Sequence, residues 1–187
     1  MEQTEGLERA RAVILVEGDS DRVALETLAL RRGLDLGAER TVVVPLRGAT
    51  NIGRFVERLG PRGLGLRLSG LCDAAERGYF LRALERAGLG SDLEARGFHV
   101  CEADLEDELV RALGVPGVEA VVESLGDLRA FRTFQNQPAQ RGRPVDRQLR
   151  RFIGTLSGRK SRYARALVQA LDPAAVPRPL SGVLSLS

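Results

Sequence analysis

Three apolar segments of the sequence are each followed closely by acidic side chains. Glu17 comes directly after AVILV and Asp21 four residues later, Asp73 ends LGLRLSGLCD, and Asp104 and Glu106 follow GFHVC. Strand propensity does not explain an acid at the end of a buried strand. If these carboxylates converge, they repel one another unless a positive charge lies among them. Their oxygens are the ligands that the hard divalent cations Mg²⁺ and Mn²⁺ prefer, so the pattern predicts a metal site.

An alternation of strand and helix patterns positions these acids. AVILVE is a continuous apolar run, typical of a parallel strand that is buried on both faces. The helix that follows, SDRVALETLALRRG, is predicted to begin at Ser20 as its cap and to end at Gly33. Its inward stripe is expected to consist of Val23, Leu25, Leu28 and Leu30.

The next segments repeat this alternation. RTVVVPL, LGLRLSGLCD and GFHVCEA predict three further strands, and NIGRFVERLG, AERGYFLRALERAGLG and DLEDELVRALG predict helices after them. Asn51 is expected to cap the first of these helices and Gly60 to end it. The fold class is therefore α/β, with an about four-stranded, mainly parallel sheet flanked by helices. Ligands of such sheets bind at the carboxyl ends of the strands, where the acids are expected to meet.

Strand patterns end after Gly114. VPGVEAVVESLG and RYARALVQAL predict helices, and FQNQPAQRGRP between them predicts a polar loop. We interpret residues 1–113 as an α/β core and residues 114–187 as a mainly helical extension packed on it. This extension is strongly basic, because eleven basic residues between Arg129 and Arg165 accompany a single acid, Asp146. Such a surface attracts phosphates, although a solvated helical face is the alternative.

Several features indicate a cytoplasmic protein without a membrane segment. No apolar run approaches the roughly 18 residues of a membrane-spanning helix, and MEQTEGLERARA lacks the apolar region of a signal peptide. Cys72 and Cys101 show no CxxC spacing and are predicted to be reduced and buried. Packing, rather than catalysis or base stacking, is predicted for His99, Phe131, Phe134, Phe152 and Tyr163.

Two motifs in this order resemble the TOPRIM domain, which topoisomerases, bacterial primases, small RNA-maturing nucleases and OLD-family nucleases share. The first is LVEGDSD, with Glu17, Gly18 and Asp21, and the second is LSGLCDAAE, with Asp73. The downstream DLEDELVRAL looks most like the OLD branch, where an Asp-x-Glu ahead of a helix supplies a second metal position. The resemblance implies a Rossmann-like TOPRIM fold and a divalent-metal-dependent nuclease acting on DNA or RNA.

The resemblance also implies roles for individual residues. Glu17, Asp73 and Lys160 would be catalytic, with Lys160 stabilising the charge on the phosphate and Glu17 alternatively acting as general acid or base. Two ions of Mg²⁺ or Mn²⁺ are expected. The metal ligands would be Glu17, Asp21, Asp73, Glu76, Asp104 and Glu106. Glu76 is included because the second acid of the family's Asp-x-Asp motif is replaced here by Ala75.

Other residues are candidates for contacts with the nucleic acid. Gly18 would allow a tight turn and a close approach to a phosphate, and the RGATN loop would bind phosphate at a helix N-terminus or form a plain turn. The full set is Gly18, Arg47, Gly48, Arg141, Arg143, Arg159 and Arg162. Because OLD-family proteins usually carry an ATPase domain ahead of the TOPRIM domain, a separate ATPase subunit is a candidate partner.

Alternatives remain open at this point. Asp21 could serve only to stabilise the first turn of a helix, Asp104 could be an N-cap with Glu106 solvated, and Lys160 could be an ordinary surface residue. For the whole chain, the alternative to a nuclease is a catalytically degenerate TOPRIM module that binds nucleic acid or a partner ATPase. Nucleotidyl transfer, as in primases, would use the same metal site.

Overall fold

A parallel four-stranded sheet forms the centre of the protein. The structure is a computed structural model, and it describes residues 7, 9–154 and 159–185. The strands are β1 (Ala12–Val16), β2 (Thr41–Pro45), β3 (Arg67–Asp73) and β4 (Phe98–Cys101), arranged in the order β2-β1-β3-β4. All three pairings are parallel, which confirms the predicted fold class.

Helices follow each strand and then continue to the C-terminal part. They are α1 (Asp19–Arg31), α2 (Ile52–Leu59), α3 (Arg77–Arg86), α4 (Leu105–Ser124), α5 (Leu128–Gln135), α6 (Val145–Gly154), α7 (Arg159–Ala170) and α8 (Arg178–Leu184). Short 3-10 turns occur at Ala49–Asn51, Glu94–Arg96 and Pro173–Ala175. None of the helices among these residues is long and apolar enough to cross a membrane.

Apolar side chains cover both faces of the sheet. β1 is buried along its whole length, and its side chains alternate between the two faces as a strand requires. Ile14 and Val16 join the core shared with α1, α4 and α7, whereas Val13 and Leu15 join the core shared with α2 and α3. A strand buried in this way has no solvent-facing side, so its polar residue, Glu17, falls just beyond its end.

The C-terminal helices pack on one face of this core. Helix α7 lies along α1 and α4, and Leu167 and Val168 are buried in the same cluster as Leu28. The backbone of α4 breaks at Gly114 (φ 67°, ψ 166°), one residue after the predicted end of the α/β core. The break coincides with the expected division of the chain, although that division stays a prediction because one apolar cluster spans both parts.

Three local predictions about the helices are wrong. Helix α1 begins at Asp19 rather than after Ser20, because Asp21 accepts a hydrogen bond from the backbone N–H at Gly18 and so starts the helix earlier. Leu30 is 79% exposed, because it lies on the side of α1 opposite Leu28. The Asn51 side chain does not cap α2; its amide donates instead to the carbonyl of Leu46 at 3.0 Å.

The two cysteines and His99 behave as predicted. Cys72 and Cys101 are free and buried on neighbouring strands. His99 packs against Gly182 of α8 so closely that a Cβ at residue 182 would lie 2.3 Å from the imidazole. Burial lowers the pKa of His99, so its role as a packing residue between β4 and α8 agrees with the sequence-based expectation.

Candidate metal centre

The carboxyl ends of three strands meet at one edge of the sheet. The parallel register places Val16, the last residue of β1, beside Leu71, and it places Asp73, the last residue of β3, beside Cys101 of β4. Glu17 therefore leaves β1 next to the end of β3. Glu17 and Asp73, the acids at the ends of β1 and β3, therefore lie at the same edge of the sheet, as the strand patterns predict.

The Glu17 carboxylate is partly buried and is not fully hydrogen-bonded. Its Oε2 atom is shielded from solvent and has no hydrogen-bond partner among the described residues. Burial raises the pKa of Glu17, the charge of Glu76 raises it further, and Lys160 acts in the opposite direction. Because buried polar atoms normally have a partner, the Oε2 atom marks a position suited to a bound cation.

Asp21 and Asp73 share the environment of Glu17. Burial raises the pKa of Asp21 to about 7, even though its Oδ2 accepts a hydrogen bond from the Gly18 N–H at 2.8 Å. Burial raises the pKa of Asp73 to about 8, and the charges of Glu17 and Asp21 raise it further. These carboxyl groups therefore hold protons at neutral pH that a divalent cation would displace.

The raised pKa values predict that the metal-free protein loses stability as the pH rises. Asp21 and Asp73 ionise near 3.8 in an unperturbed chain but near 7 and 8 in the folded protein. The unfolded chain therefore binds fewer protons between about pH 4 and pH 8, and the free energy of unfolding falls across that window. In EDTA, the decrease in Tm from pH 5 to pH 8 is expected to be smaller for Asp73→Asn than for Asp146→Asn, a change at an exposed site. Equal decreases in both variants would contradict this assignment.

Asp104 is held by an arginine that sequence reasoning missed. One Asp104 oxygen accepts the Asp107 backbone N–H at 2.8 Å and so caps α4. Arg150 of α6 donates its Nε to both Asp104 oxygens at 3.0 Å and its Nη2 to Oδ2. The hydrogen bonds to Asp104 raise the pKa of the Arg150 guanidinium. Asp104 is therefore the N-cap of α4, as the alternative interpretation of the sequence predicts, and it also forms an ion pair that joins α4 to α6.

Glu106 is paired with Lys160. The Glu106 side chain is buried, and its Oε1 lies 3.3 Å from the Nζ of Lys160, whose side chain is 47% exposed. Burial lowers the pKa of Lys160, but the charge of Glu106 and its hydrogen bond outweigh that effect, so the pKa is raised. Lys160 therefore lies at the acidic edge with its ammonium group still accessible from solvent.

Glu76 lies beside Glu17. It is the charged neighbour with the largest effect on the pKa of Glu17, and its backbone N–H donates to the Asp73 carbonyl at 3.0 Å. The turn after β3 leaves Ala74 and Ala75 exposed and brings Glu76 back to the edge. The candidate substitute for the missing second acid is thus close to the other acids, and its role as a metal ligand stays a prediction.

The RGATN loop contacts the same edge. The Gly48 backbone N–H donates to the Glu17 carbonyl at 3.3 Å, and Arg47 is exposed with a left-handed backbone (φ 56°). Gly18, in contrast, does not form the predicted tight turn. Its backbone is extended (φ −141°), a conformation open to any residue, and a Cβ there would meet only Asp21 at 3.7 Å.

The predicted phosphate-binding arginines of the C-terminal part make internal contacts. Arg159 and Arg162 approach Asp127 at 3.8 and 3.7 Å, and Arg162 also donates to the Leu125 carbonyl. Tyr163 donates its hydroxyl to Asp127 at 2.9 Å. These contacts fasten the first turns of α7, which carry Lys160. The aromatic residues are packed against one another, since the rings of Phe131, Phe134 and Tyr163 lie 5.2, 5.5 and 6.4 Å from that of Phe152.

Arg141 and Arg143 lie in the turns between α5 and α6. Both are exposed, and their Nε atoms donate to the carbonyls of Asn136 and Ala139 at 3.0 and 2.8 Å. Neither has a contact with the acidic edge among the described interactions. Their binding to phosphates stays a prediction.

The donor set of this edge fits a hard divalent cation. All the candidate donors are carboxylate oxygens, which such cations prefer, and the Oε2 atom of Glu17 is buried without a partner. Within the part of the chain that the structure describes, no three His, Cys, Asp or Glu side chains are grouped closely enough to hold an ion as they stand.

A parallel sheet with an acidic carboxyl edge is the arrangement of the TOPRIM class of domains. Residues 10–74 match the family described as "Overcoming lysogenization defect protein-like, TOPRIM domain". Residues 10–74 are therefore most like an OLD-family TOPRIM domain, which confirms the resemblance seen in the motifs. Such a domain indicates a nucleic-acid-related family of metal-dependent nucleases.

Two solved structures extend the similarity to the C-terminal helices. The C-terminal region of the OLD protein of Xanthomonas campestris pv. campestris is 28% identical, with a TM-score of 0.67 over 94% of this chain and 93% of that one. The C-terminal region of the Burkholderia pseudomallei OLD protein is also 28% identical, with a TM-score of 0.68 over 94% and 96%. No functionally curated protein matches the chain.

Proposed function

We propose that the protein is a divalent-metal-dependent nuclease that cleaves phosphodiester bonds of DNA or RNA at the acidic edge of its sheet. The observation that carries this proposal is the buried, unpartnered Oε2 atom of Glu17 beside Asp21 and Asp73, whose pKa values are raised by burial and by the charges of neighbouring acids, Glu17 among them. An acidic cluster of this kind is costly to maintain unless a cation neutralises it.

Individual residues of this chain would bind the metal ion, stabilise charge on the phosphate and bind the nucleic acid. Glu17, Asp21 and Asp73 hold Mg²⁺ or Mn²⁺, which when bound polarises the phosphate and lowers the pKa of a water molecule. Lys160, partly exposed beside the acids, donates to a non-bridging phosphate oxygen and offsets the charge that builds up during cleavage. Arg47, exposed in the loop that contacts Glu17, is positioned to bind a flanking phosphate.

The basic helical extension would bind the nucleic acid outside the acidic edge. Eleven basic residues between Arg129 and Arg165 accompany one acid, which favours contacts to phosphates that do not depend on base sequence. A separate ATPase subunit is proposed as a further partner, because the OLD-family proteins that the motifs of this chain resemble usually carry an ATPase domain. The free cysteines suit the reducing environment of the cytoplasm, which we propose as the compartment.

Cleavage of supercoiled plasmid and of single-stranded RNA tests this function. The wild-type protein is expected to cut at least one of the two substrates with Mg²⁺ or Mn²⁺ and to be inactive in EDTA. The double variant Glu17→Gln, Glu106→Gln is expected to lose this activity, because it removes two of the carboxylate charges of the acidic edge. The matched control is Glu57→Gln, Glu85→Gln, which alters two exposed glutamates on α2 and α3 and should cleave normally. Full activity in the first double variant would refute the proposed site.

A degenerate, binding-only TOPRIM module is the second candidate function. Ala75 in place of the second acid favours it, as does the lack of a preformed group of three metal-binding side chains among the described residues. In that case clean wild-type protein would bind nucleic acid without cutting it. Cleavage gained in Ala75→Asp, where the wild type shows none, would establish this second function.

A further inference from the structure

The acidic edge divides into two parts that differ in how their charges are paired. Glu17, Asp21 and Asp73, the strand-end part, form no ion pair among the described residues; Asp21 accepts the Gly18 backbone N–H, and Lys160 acts on Glu17 and Asp21 only through its charge, without a contact at ion-pair distance. Asp104 and Glu106, the helix part, are each paired with a basic side chain. A carboxylate without a cationic partner is available to a metal ion, whereas a paired one must first lose its partner.

Arg150 holds Asp104 in a geometry that leaves little room for a metal ion. The guanidinium contacts both oxygens of Asp104, and one of those oxygens also accepts the Asp107 N–H. A two-pronged contact of this type is among the strongest hydrogen-bonded ion pairs in proteins. Asp104 would have to give up these donors before it could bind a cation.

The two helices that form this pair are fixed in place. Helix α6 packs against α4, and Leu149 and Ile153, which flank Arg150, are buried in the core. The Arg150 and Asp104 side chains are themselves only 28% and 25% exposed. Separating them would leave a partly buried guanidinium without its main acceptor, which opposes the binding of a cation at Asp104.

We infer that this protein holds a single divalent cation, at the strand-end part of the edge, and that Arg150 takes the place of a second cation at Asp104. Lys160 extends this arrangement by supplying a further positive charge at Glu106. The inference rests on the proposed function and changes the expected number of ions from two to one. It agrees with the presence of Ala75 where a second acid would serve two ions.

Counting bound Mn²⁺ by electron paramagnetic resonance tests the inference independently of activity. The wild-type protein is expected to bind one Mn²⁺ per chain. Arg150→Gln is expected to bind a second, because Asp104 is then free to act as a ligand, whereas Arg147→Gln, at an exposed site on the same helix, is expected to bind one. Two ions in the wild type, or one ion in Arg150→Gln, would overturn the inference and leave the proposed nuclease intact.

Asp104→Asn provides a second test. Unlike Arg150→Gln, it does not create an unpaired carboxylate, because it removes the charge of Asp104 itself. Because Asp104 is not a ligand of the single cation, this variant is expected to keep one Mn²⁺. Its affinity for Mn²⁺ should fall by less than about tenfold, which is the smallest loss usual when a hydrogen-bonding partner of a metal ligand is removed. Loss of the ion in Asp104→Asn would overturn the inference. Wild-type protein that binds no Mn²⁺ at all would overturn the proposed function as well, so the two failures are distinguishable.

Discussion

Asp73→Asn is expected to lower metal-dependent cleavage by at least about a hundredfold, because even the hydrogen-bonding partners of metal ligands cost about 10–100-fold when they are mutated. Asp73 ends β3, next to the point where Glu17 leaves β1, and the charge of Glu17 raises its pKa. Asparagine keeps its shape but cannot supply the negative charge that a divalent cation requires. Initial cleavage rates at saturating nucleic acid and a range of Mg²⁺ concentrations measure the loss.

The control for this variant is Asp146→Asn, at an exposed position in the first turn of α6. It removes the same charge from the same molecule at a site far along the chain from the strand ends. It should cleave like the wild-type protein. If Asp73→Asn also retained full activity at low Mg²⁺, Asp73 would not be a metal ligand, and the proposed centre would be wrong.

Lys160→Gln is expected to reduce the rate of cleavage by about 10²–10³-fold, the usual cost of removing one group that stabilises transition-state charge. Its affinity for Mn²⁺ should not fall, because Lys160 is a cation that pairs with Glu106 at 3.3 Å rather than a metal ligand. Single-turnover cleavage gives the rate, and an Mn²⁺ titration of the same preparation gives the affinity.

The separation of these two readouts excludes a merely structural role for Lys160. Arg58→Gln, at an exposed site on α2 and outside the basic extension, is the matched control and should leave both quantities unchanged. Lys160→Arg, which keeps the charge, should recover part of the rate. A parallel loss of rate and of Mn²⁺ affinity in Lys160→Gln would show that the residue acts by holding α7 in place and not on the phosphate.

The sequence predicts the sheet and its acidic edge because both depend on local patterns. AVILV is apolar without interruption, so it has to be a strand buried on both faces, and Glu17 then has to lie at its end. The same argument applies to Asp73 after LSGLC. The parallel arrangement of the strands then brings the two acids together without any knowledge of side-chain contacts.

The pairing of the helix part of the edge could not be predicted in this way. Asp104 and Arg150 are 46 residues apart, and their contact depends on how α6 packs against α4, which no local pattern encodes. Arg150 also lies among many arginines of similar character. For Asp104 itself, the sequence is compatible with an N-cap and with a metal ligand. In the structure the Asp104 carboxylate caps α4 and also forms the ion pair with Arg150.

Competition between nearby polar groups explains the errors in the helix ends. Ser20 is a good N-cap residue by type, but the Asp21 carboxylate reaches back to the Gly18 N–H, and α1 therefore begins before Ser20. Asn51 is a good N-cap by the same rule, yet its side chain binds the preceding loop. In both cases the residue types correctly indicate a polar contact near the start of the helix. Which backbone group each side chain binds depends on the three-dimensional path of the chain.

Calorimetric titration of Mn²⁺ into metal-free protein tests the central claim, that carboxylates at the strand ends hold the cation used for cleavage. The wild-type protein is expected to bind Mn²⁺, and Glu17→Gln to bind it at least about a hundredfold more weakly, since loss of a direct ligand should equal or exceed the loss of an outer partner. Glu57→Gln, at an exposed site on α2, should bind like the wild type. Equal affinities in the wild type and Glu17→Gln, or no binding by the wild type, would contradict the account.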